Sequence, residues 1–178
     1  MKRSTSAATL SEAASKRDIA LMDRVLLEAQ TALNEGGAGV GALLASPNEI
    51  IMVARNRIQE TGDLTNHAEM VLIRESGRKL GEMDEHTRHE LSLYVTLEPC
   101  LMCSAALSFV GIKRIVYAAL AEDANIEEMI VHGLTLPKIN RRLVRGPFTL
   151  IPGLRREEGQ SLLRQMNKFA GAPGALKK

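Results

Sequence analysis

A chain of 178 residues fits one domain with a substantial core and no need of disulfide staples. Its 23 Lys and Arg against 21 Asp and Glu leave a formal charge of +2, without the basic excess of a dedicated nucleic-acid binder, so a small-molecule partner is favoured. Two cysteines spaced Cys-x-x-Cys cannot make a secreted disulfide framework; a metal or redox pair in a reducing compartment, the cytoplasm, is the expectation.

In chain order, residues 1–17 are rich in Ser, Ala, Lys and Arg but have no apolar secretory core, and read as a disordered leader. From 18 to 35, Ile19, Met22, Val25, Leu26, Ala29 and Leu33 recur at helical spacing until Gly36 and Gly37 stop the pattern. Two apolar runs, 40–45 and 50–54, flank the turn residues Pro47 and Asn48 and predict a β-hairpin. Residues 56–66 are polar and read as a loop, and 68–81 as a second helix ending at Gly81. Residues 91–97 predict a strand, 100–110 a helix opening directly after Pro99, and 114–120 another strand, a crossover of the kind that pairs strands in parallel. Residues 121–145 carry no clear period. A last strand is expected at 148–151 and a last helix at 157–169, leaving 18–170 as one domain and 171–178 as a loose tail. The longest apolar stretch, 101–112, falls short of the roughly 18 residues of a membrane span.

Chemistry concentrates at two predicted helix starts. His67-Ala68-Glu69 opens the second helix, and Pro99-Cys100-Leu101-Met102-Cys103 opens the third. Residues two apart point to nearly opposite sides in mid-helix, so His67 and Glu69 can face one centre only from the first turn. Cys100 and Cys103, three apart, share a face, and a positive helix end favours the thiolate a metal requires. One imidazole and two thiolates neutralise a Zn²⁺ ion and leave the fourth tetrahedral position open, as in a catalytic site. Glu69 is then free to move protons. Three blander readings stand beside this one. Asn66 and Glu69 could form a capping box, the cysteines could be a redox pair, or His86, His89 or His132 could close a structural zinc site. The presence of both motifs on two helix starts favours the open zinc site.

The runs Asn66-His67-Ala68-Glu69-Met70 and Leu93-Tyr94-Val95-Thr96-Leu97-Glu98-Pro99-Cys100-Leu101-Met102-Cys103 resemble the cytidine deaminase-like superfamily, in the branch of cytosine, guanine and tRNA-adenosine deaminases. The resemblance spans roughly residues 22–120. It implies a three-layer α/β/α sandwich with a mixed five-stranded sheet, Zn²⁺ as cofactor on His67, Cys100 and Cys103, and Glu69 as the catalytic proton shuttle. It further implies Asn56 as a substrate contact, main-chain groups of Ala68, Glu98 and Pro99 lining the base pocket, and a homodimer. The expected reaction is hydrolytic removal of an amino group from a guanine-like or cytosine-like nucleobase or nucleoside. A tRNA-specific adenosine deaminase is the enzyme alternative, with tRNA the less favoured partner because the basic residues Arg155, Arg156, Arg164 and Lys168 are offset by Glu157 and Glu158. Arg141, Arg142 and Arg145 could still meet phosphate. A zinc-binding interaction module is the non-enzyme alternative, and retention of Glu69 argues against it.

Overall fold

The computed structural model describes residues 13–124 and 131–170, with side chains described through Met166. In chain order the elements are α1 (Lys16–Asn34), β1 (Gly41–Ala45), β2 (Ile50–Arg55), α2 (Ile58–Thr61), α3 (Ala68–Glu75), α4 (Gly77–Glu82), α5 (Glu85–His89), β3 (Ser92–Leu97), α6 (Leu101–Val110), β4 (Arg114–Ala119), a 3₁₀ turn (Ala121–Asp123), α7 (Leu136–Asn140), β5 (Thr149–Pro152) and α8 (Arg156–Ala170). The described strands form one sheet in the order β2-β1-β3-β4-β5. β1 runs antiparallel to β2 and β3, whereas β3, β4 and β5 are parallel, as the α6 crossover requires. α1 and α8 cover one face and α3, α6 and α7 the other, which is the expected three-layer α/β/α sandwich.

The central strands are apolar on both sides because both faces are covered. Along β1, Leu44 packs under α3 while Leu43 packs under α1; along β4, Ile115 and Tyr117 face one way and Val116 and Ala118 the other. Two glycines permit the close helix–sheet contact. A Cβ on Gly41 would lie 2.9 Å from the Val25 carbonyl oxygen of α1, and one on Gly159 would lie 2.7 Å from the Ala119 nitrogen. α8 can therefore lie directly on the end of β4, beside the site described below.

α1 starts at Lys16, inside the segment expected to be a leader, because Ser15 and Asp18 form a reciprocal capping box. Asp18 also binds Arg114 of β4 through both carboxylate oxygens, at 2.8 and 3.0 Å, and accepts the Tyr94 hydroxyl at 2.6 Å. Burial would raise this carboxyl, but the guanidinium, the phenol and the Ser15 groups outweigh it and hold the carboxyl well below its ordinary 3.8. Residues 1–12 of the expected leader and the tail at 171–178 lie outside the described residues.

The single helix expected at 68–81 is two. The chain breaks at Ser76, whose buried hydroxyl donates to the Leu72 carbonyl at 2.6 Å, and restarts at Gly77; a hydroxyl that competes for the helical acceptor, followed by glycine, ends a helix readily. The polar stretches at 56–66 and 81–89 also hold one-turn helices. Asn56 Oδ1 accepts the Ile58 amide for the first, and Asp84 Oδ1 accepts the Thr87 amide for the second. In the stretch with no legible period, the 3₁₀ turn Ala121–Asp123 and α7 flank residues 125–130, which lie outside the described residues.

Candidate active site

The two motifs meet at the carboxyl end of β3. Pairing with β1 and β4 fixes that strand, Pro99 ends it, and the chain turns into α6 with Cys100 as its N-cap. The Ser104 hydroxyl reaches back to the Pro99 and Cys100 carbonyls at 3.2 and 2.7 Å and locks this turn. α3 packs against both β1 and α6, with His67 as its N-cap in extended conformation and Glu69 in its first turn. Both helices thus end at one point with their unsatisfied first-turn amides and positive dipole ends.

His67 Nδ1 lies 3.8 Å from Cys100 Sγ and 3.7 Å from Cys103 Sγ, and all three donor atoms fall within 4.8 Å of one another. A tetrahedral zinc with bonds of about 2.0 Å to nitrogen and about 2.3 Å to sulfur needs an N···S separation of about 3.5 Å, so the residues fit the ion with shifts of a few tenths of an ångström. Cys103 is fully buried behind the site and Cys100 partly exposed to it. The Cys103 thiol and the His67 ring stabilise Cys100 as a thiolate well below the ordinary thiol range, while that thiolate and burial push Cys103 up. The Cys100 sulfur in turn raises His67. Burial pushes the Glu69 carboxyl up to about 7.

Beside these groups opens a cavity of about 340 Å³. Asn56, His67, Glu69, Glu98, Pro99 and Cys100 line it, which brings together most of the residues singled out from the sequence. Ala68 and Cys103 are not among the lining residues. The Ala68 methyl is packed in the core between α3 and the sheet, which leaves only its main chain to face the site, while in the first turn of α3 His67 and Glu69 turn their side chains to the cavity. His86 and His89 sit on α5 and, with His132, take no part in the donor cluster.

The sequence reading missed the opposite wall. Ala121, Ala124, Val131 and Leu134 supply it, with Ile58 from α2 and Met166 from α8. Only Met166 carried a signal, as an apolar member of the last helix. Among the described residues, no Lys or Arg lines the cavity.

The family model for the cytidine and deoxycytidylate deaminase zinc-binding region matches residues 15–119. A tRNA-specific adenosine deaminase of Aquifex aeolicus is 38% identical over 145 residues, 80% of this chain and 89% of that one. A structure solved in a study of A-to-I editing by tRNA A34 deaminases at the wobble position is 33% identical, with a TM-score of 0.64 over 80% of this chain and 97% of that one. A protein solved in complex with 8-azaguanine is 26% identical, with a TM-score of 0.70 over 84% of both chains. The chain belongs to the cytidine and deoxycytidylate deaminase family and is a hydrolytic deaminase of the zinc-binding type.

Proposed function

We propose that this deaminase converts adenosine to inosine in tRNA, which reverses the order expected from composition, where a free guanine-like or cytosine-like base came first. The relationship to a tRNA-specific adenosine deaminase over nearly the whole length of that enzyme carries the reading. The cavity supports it in a second way. Its wall is mostly apolar, as a planar base requires, and among the described residues it offers no cation to a phosphate, so the backbone of a nucleic acid would be held outside. Exposed Lys138, Arg141, Arg142 and Arg145 follow directly from Leu136, next to the wall.

Zinc on His67, Cys100 and Cys103 would act as a Lewis acid and bring the pKa of water to about 7, giving a nucleophile at neutral pH. Water adds at the amino-bearing ring carbon and ammonia leaves. Glu69, buried at the cavity floor, carries one proton of the water to the adjacent ring nitrogen as the C–O bond forms, then carries the remaining hydroxyl proton to the amine, so that the C–N bond breaks, a carbonyl forms and the amine departs as ammonia. Asn56 Oδ1 is engaged by the Ile58 amide, which leaves its Nδ2 as a donor for the ring or ribose. Glu98 and Pro99 hold the cavity edge. The homodimer expected from sequence remains part of this proposal, with α6 exposing Leu101 and the 72% exposed Phe109. Among the described residues no helix is long and apolar enough to cross a membrane. Two free cysteines suit a reducing compartment such as the cytoplasm.

The second reading is deamination of a free guanine-type base, favoured by the likeness in fold to the protein solved with 8-azaguanine. Inosine formation on tRNA transcripts, run beside ammonia release from free guanine, cytosine and adenine, separates the two. Turnover of tRNA alone is the expected result, and turnover of a free base with none on tRNA would overturn the proposal.

A further inference from the structure

Glu98 is a buried carboxylate that no cation pairs with among the described residues. Such a charge is tolerated only when backbone or side-chain donors satisfy it. Its two oxygens have separate partners. Oε2 accepts the Ala121 amide at 3.0 Å, and Oε1 accepts the Leu136 amide at 2.5 Å. These amides are the first donors of the 3₁₀ turn and of α7, groups that have no acceptor within their own helices. Between them the chain supplies the wall residues Ala124, Val131 and Leu134.

The backbone of Glu98 is fixed independently. Its amide donates to the Ala119 carbonyl at 2.8 Å, one step beyond the β3–β4 ladder, and the residues after it are the Pro99-Cys100 turn that the Ser104 hydroxyl locks. One side chain therefore runs from the turn that carries Cys100 to the 3₁₀ turn and to α7, which flank the described wall residues Ala124, Val131 and Leu134. Asp123 ties the first of these ends to α8 through Arg156 and Gln160. Among the described residues, no other side chain is bonded to the Leu136 amide.

We propose that Glu98 is a positioning residue that sets the separation between the reactive centre and the apolar wall, and so fixes how tightly the substrate ring is held. The inference rests on the reading of this cavity as the substrate site. Glutamine at 98 keeps one acceptor and turns an N–H toward the second amide, and aspartate is one methylene too short to reach both. Both should free one end of the wall while leaving the locked Cys100 turn in place.

The test uses Glu98→Gln and Glu98→Asp in the full chain, assayed on whichever of tRNA or free base the wild type turns over. Both variants should retain zinc, raise KM about tenfold and keep kcat within about twofold. Hydrogen exchange at the Ala121 and Leu136 amides, slow in the wild type, should accelerate at one or both. A purely structural role would lower the melting temperature and leave KM at 25 °C unchanged, which would overturn the proposal, as would loss of zinc. Should neither variant fold, exchange in the wild type decides it, since rapidly exchanging Ala121 and Leu136 amides would show that the clamp is not formed. The exchange readout is independent of activity, so an error in the substrate assignment shows separately, as a wild type inactive on tRNA.

Discussion

The two sides of the cavity are built by different means. On the reactive side, His67, Glu69, Cys100 and Cys103 hang from two helix starts braced on the central strands, and each position follows from a strong local rule. On the opposite side the wall is a few small and branched apolar residues between a 3₁₀ turn and a five-residue helix, held by side-chain contacts to backbone amides. The reactive side can tolerate little movement because it must hold a tetrahedral ion. The wall holds neither the ion nor the proton shuttle, so a change there costs the chemistry little and acts on which ring is admitted. Substitutions on the two sides should therefore fail differently, with loss of metal or fold on one and weaker binding on the other.

Cys103→Ala should break the reactive side most completely. It opens the donor cluster at its most buried member, so zinc content measured by atomic absorption should fall from about one per chain toward zero, with activity lost in proportion. Asp18→Asn should act on the scaffold beneath that side and leave the chemistry alone. Removing one partner of this largely buried pair should cost about 3 kcal/mol in denaturant unfolding at pH 7 with KM unchanged. The pH dependence has a fixed sign. The folded carboxyl lies below its ordinary 3.8, so its contribution is complete above that value and is lost as pH falls below it; wild type and variant should converge in acid.

Asn56→Ala sharpens the contrast from the substrate side. It should raise KM about tenfold while the melting temperature moves little, because the one-turn helix whose amide it caps is exposed. The smallest effect is expected from Arg141→Ala with Arg142→Ala. If tRNA phosphates lie along this segment, kcat/KM on tRNA should fall several-fold and become less sensitive to salt, with zinc content and stability unchanged.

The reactive side was legible because a His-x-Glu and a Pro-Cys-x-x-Cys at helix starts have few other physical uses in combination. The sandwich was legible from β1, β3 and β4, whose apolar runs alternate between the two faces that the helices cover. The helix break at Ser76 was missed because the apolar period of Val71, Leu72 and Leu80 runs across it. The wall was missed for a deeper reason. Ala121, Ala124 and Leu134 have no individual chemistry, and the elements that flank them are tied to a glutamate more than twenty residues upstream, which accepts the amides of Ala121 and Leu136. Glu98 itself was expected to offer its main chain to a substrate, and nothing in a Glu-Pro-Cys run shows where the carboxylate goes. The choice among substrates turns on the same region, since net charge says nothing about what an apolar wall admits.

The account rests on Glu69 moving protons beside a metal it does not hold. Glu69→Gln is nearly isosteric and keeps a polar group in the first turn of α3, so it separates proton transfer from packing and from metal binding. Zinc content, melting temperature and turnover should be measured on one purified preparation. The account predicts about one zinc per chain, a melting temperature near that of the wild type, and turnover lower by about 10²–10⁴-fold. A Glu69→Gln protein that retains zinc and turns over substrate at the wild-type rate would contradict it.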